Sequence, residues 1–161
     1  MNITESTPWI IAASIIPAEQ MANIILQQTP ANIGQPLIGF SIKEINNICS
    51  GEFDLLLKIL GKEKQVLTTG TALQLLAWIK KEMDGIKNFY EKINTQTAEE
   101  KKVSNTLETL DFFAGACVRA VKYFNLKSIA EAENTRLADV MLMDKAAAID
   151  ADFQRKLLKT K

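Results

Sequence analysis

Seven positions, Val103, Leu107, Leu110, Ala114, Cys117, Val121 and Phe124, alternate steps of four and three along the chain without a miss. That spacing draws one apolar stripe down an α-helix. A strand, whose side chains alternate with period two, cannot keep it on one face. The preceding segment carries the same signature. Ala72, Leu75, Leu76, Ile79, Met83, Ile86, Tyr90 and Ile93 fall on one side of a helix predicted over 71–94, with Lys80, Lys81, Asp84, Lys87 and Glu91 opposite. The "NTQT" link between the two is short enough to make them antiparallel neighbours.

Start and stop signals place the remaining helices. Ser41 with Glu44, Thr97 with Glu100 and Ser128 with Glu131 fit the S-x-x-E capping box, in which each side chain satisfies a backbone donor at the other's position. Ser50-Gly51 ends the first of these helices, and "EFDLLLKILG" forms the next, stopped at Gly61. "KQVLTTGT" (64–71) reads as a short extended piece or as a loop leading to a cap at Thr69 or Thr71. A short helical turn ends near Asn134, and Thr135 can cap a last helix whose stripe is Ala138, Leu142, Ala146, Ile149, Phe153 and Leu157. Its closing "RKLLKTK" sets cations where they complement the helix dipole. The expected fold is all-α: a single-domain bundle over 41–161 of about five to seven helices, preceded by an apolar N-terminal extension over 1–40.

That extension is nearly uncharged. Glu5 and Glu19 are its charges, and no lysine or arginine precedes Lys43. Thr7-Pro8 reads as a helix start, Pro17 restarts or kinks a second short helix through about Gln28, and "TPANIGQPLIGF" (29–40) reads as an irregular connection. "MNITEST" lacks the basic residues that open an export signal, and the apolar run between Pro8 and Pro17 is short of the roughly 20 residues that cross a bilayer. The expected location is therefore the cytoplasm, with no membrane partner. Two roles remain for the segment: it completes the chain's own core, or it is a surface offered to another chain. The second is favoured, with Trp9, Ile10, Ile11, Ile15, Ile16, Met21 and Ile24 as the partner-binding side chains.

Chemistry is bounded by what the 161 residues contain. Lys plus Arg and Asp plus Glu are both 19, so no basic excess points to nucleic acid. Histidine is absent, which excludes a His-based triad, a Cys–His dyad and a His-ligated metal. Cys49 and Cys117 lie among apolar residues on predicted helices and read as small buried hydrophobes. "ILGKEKQ" holds a Gly-Lys pair without the upstream glycine or the following Ser/Thr of a phosphate loop. Asp150 and Asp152 have the spacing of the first ligands of a calcium loop, but they sit mid-helix with no turn glycine. Glu99 and Glu100 fall in a helix's first turn, and Glu131 and Glu133 do not share a face. Asp111 is expected to pair with Arg119 or Lys122, or to be exposed, and Tyr90, Tyr123 and the two tryptophans to anchor a core or interface. No catalytic, cofactor-binding or metal-ligating residue emerges, and no enzymatic activity is expected.

"GACVRAVKYFNLKSIAEAENTRLADVMLMDKAAAIDADFQ" (115–154) runs from an aromatic-rich helix through an "NLKS" turn and an acidic helical turn into a long helix. It resembles the C-terminal part of small helical proteins encoded in tailed-phage structural gene clusters, particularly tail assembly chaperones. Where that family carries an aromatic, this chain has Val140 or Met141. The resemblance implies a non-enzymatic protein that binds apolar stretches of a tape-measure protein, in the host cytoplasm or the virion, without a cofactor. Two alternatives stand beside it: a permanent, oligomeric structural subunit of a phage particle or other assembly, and a small regulatory or ligand-binding helical module.

Overall fold

The computed structural model describes residues 18–62, 67–93 and 112–159. They are all-α. Seven helices, α1 (Ala18–Leu26), α2 (Ile42–Cys49), α3 (Asp54–Ile59), α4 (Thr69–Ile93), α5 (Phe112–Phe124), α6 (Ile129–Glu133) and α7 (Leu137–Lys159), are joined by a single 3-10 turn at Leu37–Gly39. The described residues contain no strand, and their one extended pairing is an isolated bridge between Ser41 and Arg136. None of their helices is long and apolar enough to cross a membrane.

The chain divides into two compact units. The first takes its described residues from 18–36, 47–62 and 67–84, the second from 37–46, 85–93 and 112–159. In the first unit Ile33, Ile48, Phe53, Leu56, Leu57, Ala72, Leu75, Ala77, Trp78 and Ile79 are buried. The buried face of α4 is thus wider here than its three-and-four stripe, since Ala77 and Trp78 join it. Gly51 and Gly61 close α2 and α3 with positive φ angles of 96° and 67°, the left-handed conformation that a Cβ disfavours. Thr68, not Thr69 or Thr71, caps α4: its hydroxyl accepts from the Thr71 amide at 3.2 Å. The Ala31 amide donates to the Gln74 carbonyl, fastening the irregular 29–36 segment to that helix.

The second unit is the one that positions chemistry. Its capping box at α2 closes in both directions, with Ser41 N donating to Glu44 at 2.8 Å and Glu44 N to the Ser41 hydroxyl at 3.3 Å. At α6 only half of the box forms. Glu131 N donates to Ser128, but the Glu131 carboxylate takes the amide of Lys127 in place of that of Ser128. Helix α7 starts at Leu137, later than a Thr135 cap would start it. The backbone of 135–137 is held in extended pairing, with Ile42 N donating to the Thr135 carbonyl and Leu137 N to that of Phe40. The first turn is then clamped by a two-point Arg136–Asp139 ion pair.

One expected stripe, that of α7, is turned largely away from the core, and that of α5 only in part, since its Cys117 is buried and its Val121 half-buried. In α5 the buried residues are Ala116, Cys117 and Ala120, while Ala114 and Phe124 are exposed. In α7 the buried residues are Leu137, Val140, Met141 and Asp144, whereas Leu142, Ile149, Phe153 and Leu157 are exposed. The reason is local. Two alanines on α5 allow the close approach of a neighbour, and the side of α5 that carries Arg119 and Tyr123 meets a carboxylate of α7. Cys49 is also a correction. It is exposed, because Ile45 and Ile48 take the inward side of α2; Cys117 is buried, and both thiols are free. Thr7, Pro8, Pro17, the Thr97–Glu100 box, Val103, Leu107, Leu110 and Asp111 lie outside the described residues.

Candidate functional site

Asp144 is the one buried charged residue among those described, 8% exposed near the middle of α7. Three side chains converge on it from two other helices. Tyr90 of α4 donates its hydroxyl to Oδ2 at 2.7 Å, and Arg119 of α5 donates Nε to the same oxygen at 3.1 Å. Tyr123 of α5, one turn further on, donates to Oδ1 at 2.8 Å. The guanidinium also donates to the Tyr90 oxygen at 3.4 Å and lies 5.7 Å from the centre of the Tyr90 ring. Tyr90 packs edge-on against Phe89 and Phe112. Gly115, one turn before Arg119, leaves room for the guanidinium, since a Cβ there would stand 3.3 Å from Nη1.

The electrostatics follow from burial. Burial first, then the hydrogen bond to Asp144 and its negative charge, push the Tyr123 phenol up to about 12. The same causes in the same order push Tyr90 further above the ordinary phenol range, with the Arg119 charge acting in opposition. Both phenols therefore stay protonated donors, and no buried side-chain polar atom among the described residues lacks a partner. A buried carboxylate satisfied by a cation and two phenols fixes geometry, because any shift of one helix leaves a charge unmet. It is a register lock between α4, α5 and α7. It offers no nucleophile, and Asp144 spends both oxygens on the three donors.

The cluster extends one expectation. Arg119 pairs with Asp144; Asp111, expected to pair with Arg119 or Lys122 or to be exposed, lies outside the described residues. Tyr90 and Tyr123 are anchors, as expected, but through their hydroxyls as much as through their rings. Asp144 itself was not legible, because one aspartate in a long helix reads as solvent-facing.

The expected partner-binding residues divide. Trp9, Ile10, Ile11, Ile15 and Ile16 lie outside the described residues. Met21 and Ile24 are half-buried on α1. Next to them Ile25, Leu26 and Pro30 form one wall of an open groove of about 290 Å³, with Ala77, Lys80 and Asp84 on the other. Leu26 is largely exposed there. Asp150 and Asp152 stay on α7, where Asp152 pairs with Lys156 at 2.7 Å. Among the described residues no cluster of three or more His, Cys, Asp or Glu could hold a metal ion.

The most unusual surface is the outer side of α7. Leu142 is 66% exposed, Ile149 62%, Phe153 56% and Leu157 47%. From Lys145 to Lys159 the helix has no buried residue. Phe153 lies nine residues past Asp144, about two and a half turns at 3.6 residues per turn, so it points away from the buried cluster. Helix α7 therefore has two apolar faces. One is packed in the unit and locked by Asp144, and the other is bare. No protein family, curated protein or solved structure matches the chain.

Proposed function

We propose that the chain is a non-enzymatic assembly protein that works by burying exposed apolar helix surface against other protein, in the manner of the tail assembly chaperones that residues 115–154 resemble. The observation that carries this reading is the outer stripe of α7, four large apolar side chains left in water on a helix whose other face is already fixed. Scattered exposed leucines are ordinary, but an aligned row on one helix face marks an interaction surface. The mechanism is hydrophobic burial, reversible because each contact is modest. The partner class is an apolar helical segment of a structural protein, in a host cytoplasm or a virion. A permanent structural subunit uses the same surface without release.

The test is titration of the full chain into a fluorescently labelled amphipathic, apolar-faced helical peptide, read by anisotropy. The expected result is saturable binding, weakened about tenfold or more by Ile149→Asp with Phe153→Asp. Absence of binding, or equal binding by the variant, overturns the reading.

A further inference from the structure

The outer stripe of α7 has an internal symmetry. Its residues Ala138, Leu142, Ala146, Ile149, Phe153 and Leu157 are separated by steps of four, four, three, four and four, the same read from either end. The midpoint lies between Ala147 and Ala148, close to the middle of the helix Leu137–Lys159. We infer that the occupant of this stripe is the α7 of a second copy of the chain, running antiparallel about a two-fold axis at that midpoint. The inference rests on the reading of the stripe as an interaction surface and names its partner.

A palindromic spacing is what a two-fold axis demands, because an isologous interface sets residue i against j and j against i. Here the axis brings every stripe residue level with another. Ala138 meets Leu157 of the second copy, Leu142 meets Phe153, and Ala146 meets Ile149. The small residues fall opposite large ones in two of these layers, which lets the helices approach without a void. A parallel pair would set Ala146 on Ala146 and Phe153 on Phe153, too thin in one layer and too thick in another. The charges agree. Lys145 and Asp152, the latter also paired with Lys156 of its own chain, lie seven residues apart on one flank, and the axis carries each to within roughly 3 Å of the other's level in the second copy. Lys145 makes no ion pair within the chain among the described residues. Zero net charge removes the long-range repulsion that would hold copies apart. The seam from Ala138 to Leu157 runs roughly 28 Å at 1.5 Å per residue, so the whole length of α7 is used.

The test has two parts, both on the full chain. Sedimentation or light scattering over a concentration series is expected to show the mass of a dimer at high concentration, and Ile149→Asp with Phe153→Asp to stay monomeric with an unchanged far-ultraviolet circular dichroism spectrum. In a Cys49→Ser background, Leu142→Cys with Phe153→Cys is expected to form an intermolecular disulfide between those two positions on mild oxidation, while either cysteine alone does not. In the antiparallel pair, two copies of position 142 stand roughly 16 Å apart along the axis, beyond the reach of a disulfide. A wild-type monomer at every concentration, a variant that still dimerises or loses its helicity, or cross-linking by Leu142→Cys alone each overturns the inference. Peptide capture by a chain that stays monomeric would overturn the second copy and leave the assembly reading standing. A dimer that captures no peptide would do the reverse.

Discussion

Asp144 accepts from a guanidinium and two phenols, and the pH dependence of the fold follows from that placement. Tyr123 has a pKa near 10 in the unfolded chain and about 12 in the folded one. Between those values the unfolded chain releases a proton that the folded chain keeps, so stability falls as pH rises through this window, and the contribution is whole below pH 10. Tyr90 acts with the same sign. The urea midpoint should therefore drop between pH 10 and 12, and Tyr123→Phe should drop less steeply over that range, even though it starts lower for want of a donor to Oδ1. An equal slope in the two proteins would show that Tyr123 does not titrate with folding. Of these four residues the sequence marked Tyr90 and Tyr123 as anchors and Arg119 as an ion-pairing cation, but not Asp144 or their convergence on it. Tyr90 sits in a helical stripe as any aromatic does, and the two helices that aim at Asp144 bring to it residues up to 54 positions away. Convergence of that kind is set by packing, which local pattern does not contain.

At the level of elements, periodicity identified the helices well and their orientation less well. The starts of α2 and α6 at capping boxes and the ends of α2 and α3 at glycines are local physics and legible in a single chain. The inward face of α7 was misassigned, and that of α5 in part, for one shared reason. Each helix has a stripe of larger apolar residues and a second face with smaller or polar ones, and the larger stripe is the natural choice for a core. Ala116 and Ala120 on α5, and Asp144 on α7, are instead the buried residues, and Leu142, Ile149 and Phe153 are left outside. Helix α7 allows a direct comparison of the two faces. Leu137 is fully buried and Leu142, five residues on, is two-thirds exposed. Leu137→Ala should cost about 3 kcal/mol by loss of burial and the cavity left behind. Leu142→Ala should change the stability of the monomer by less than about 0.5 kcal/mol. Chemical denaturation at low protein concentration measures both, and comparable losses would place Leu142 in the core after all.

For the molecule as a whole, a self-complementary face ties stability to concentration. Folding creates the α7 seam, so a dimer that binds folded and not unfolded chain draws the equilibrium toward the fold by mass action. Each tenfold rise in concentration then adds half of about 1.4 kcal/mol per chain, which raises the thermal midpoint of a domain this size by roughly 2 °C. Scanning calorimetry of the wild type over two decades of concentration should show that rise. The Ile149→Asp, Phe153→Asp variant should melt at one temperature throughout, because its α7 core face is intact and only its outer stripe is charged. The effect should also survive moderate salt. The seam is apolar apart from the Lys145 and Asp152 flank, and screening removes little from a contact made mainly of leucine, isoleucine and phenylalanine. A midpoint that is independent of concentration in the wild type would mean that no folded pair forms, whereas a rise that vanishes in salt would assign the association to charge and not to the stripe.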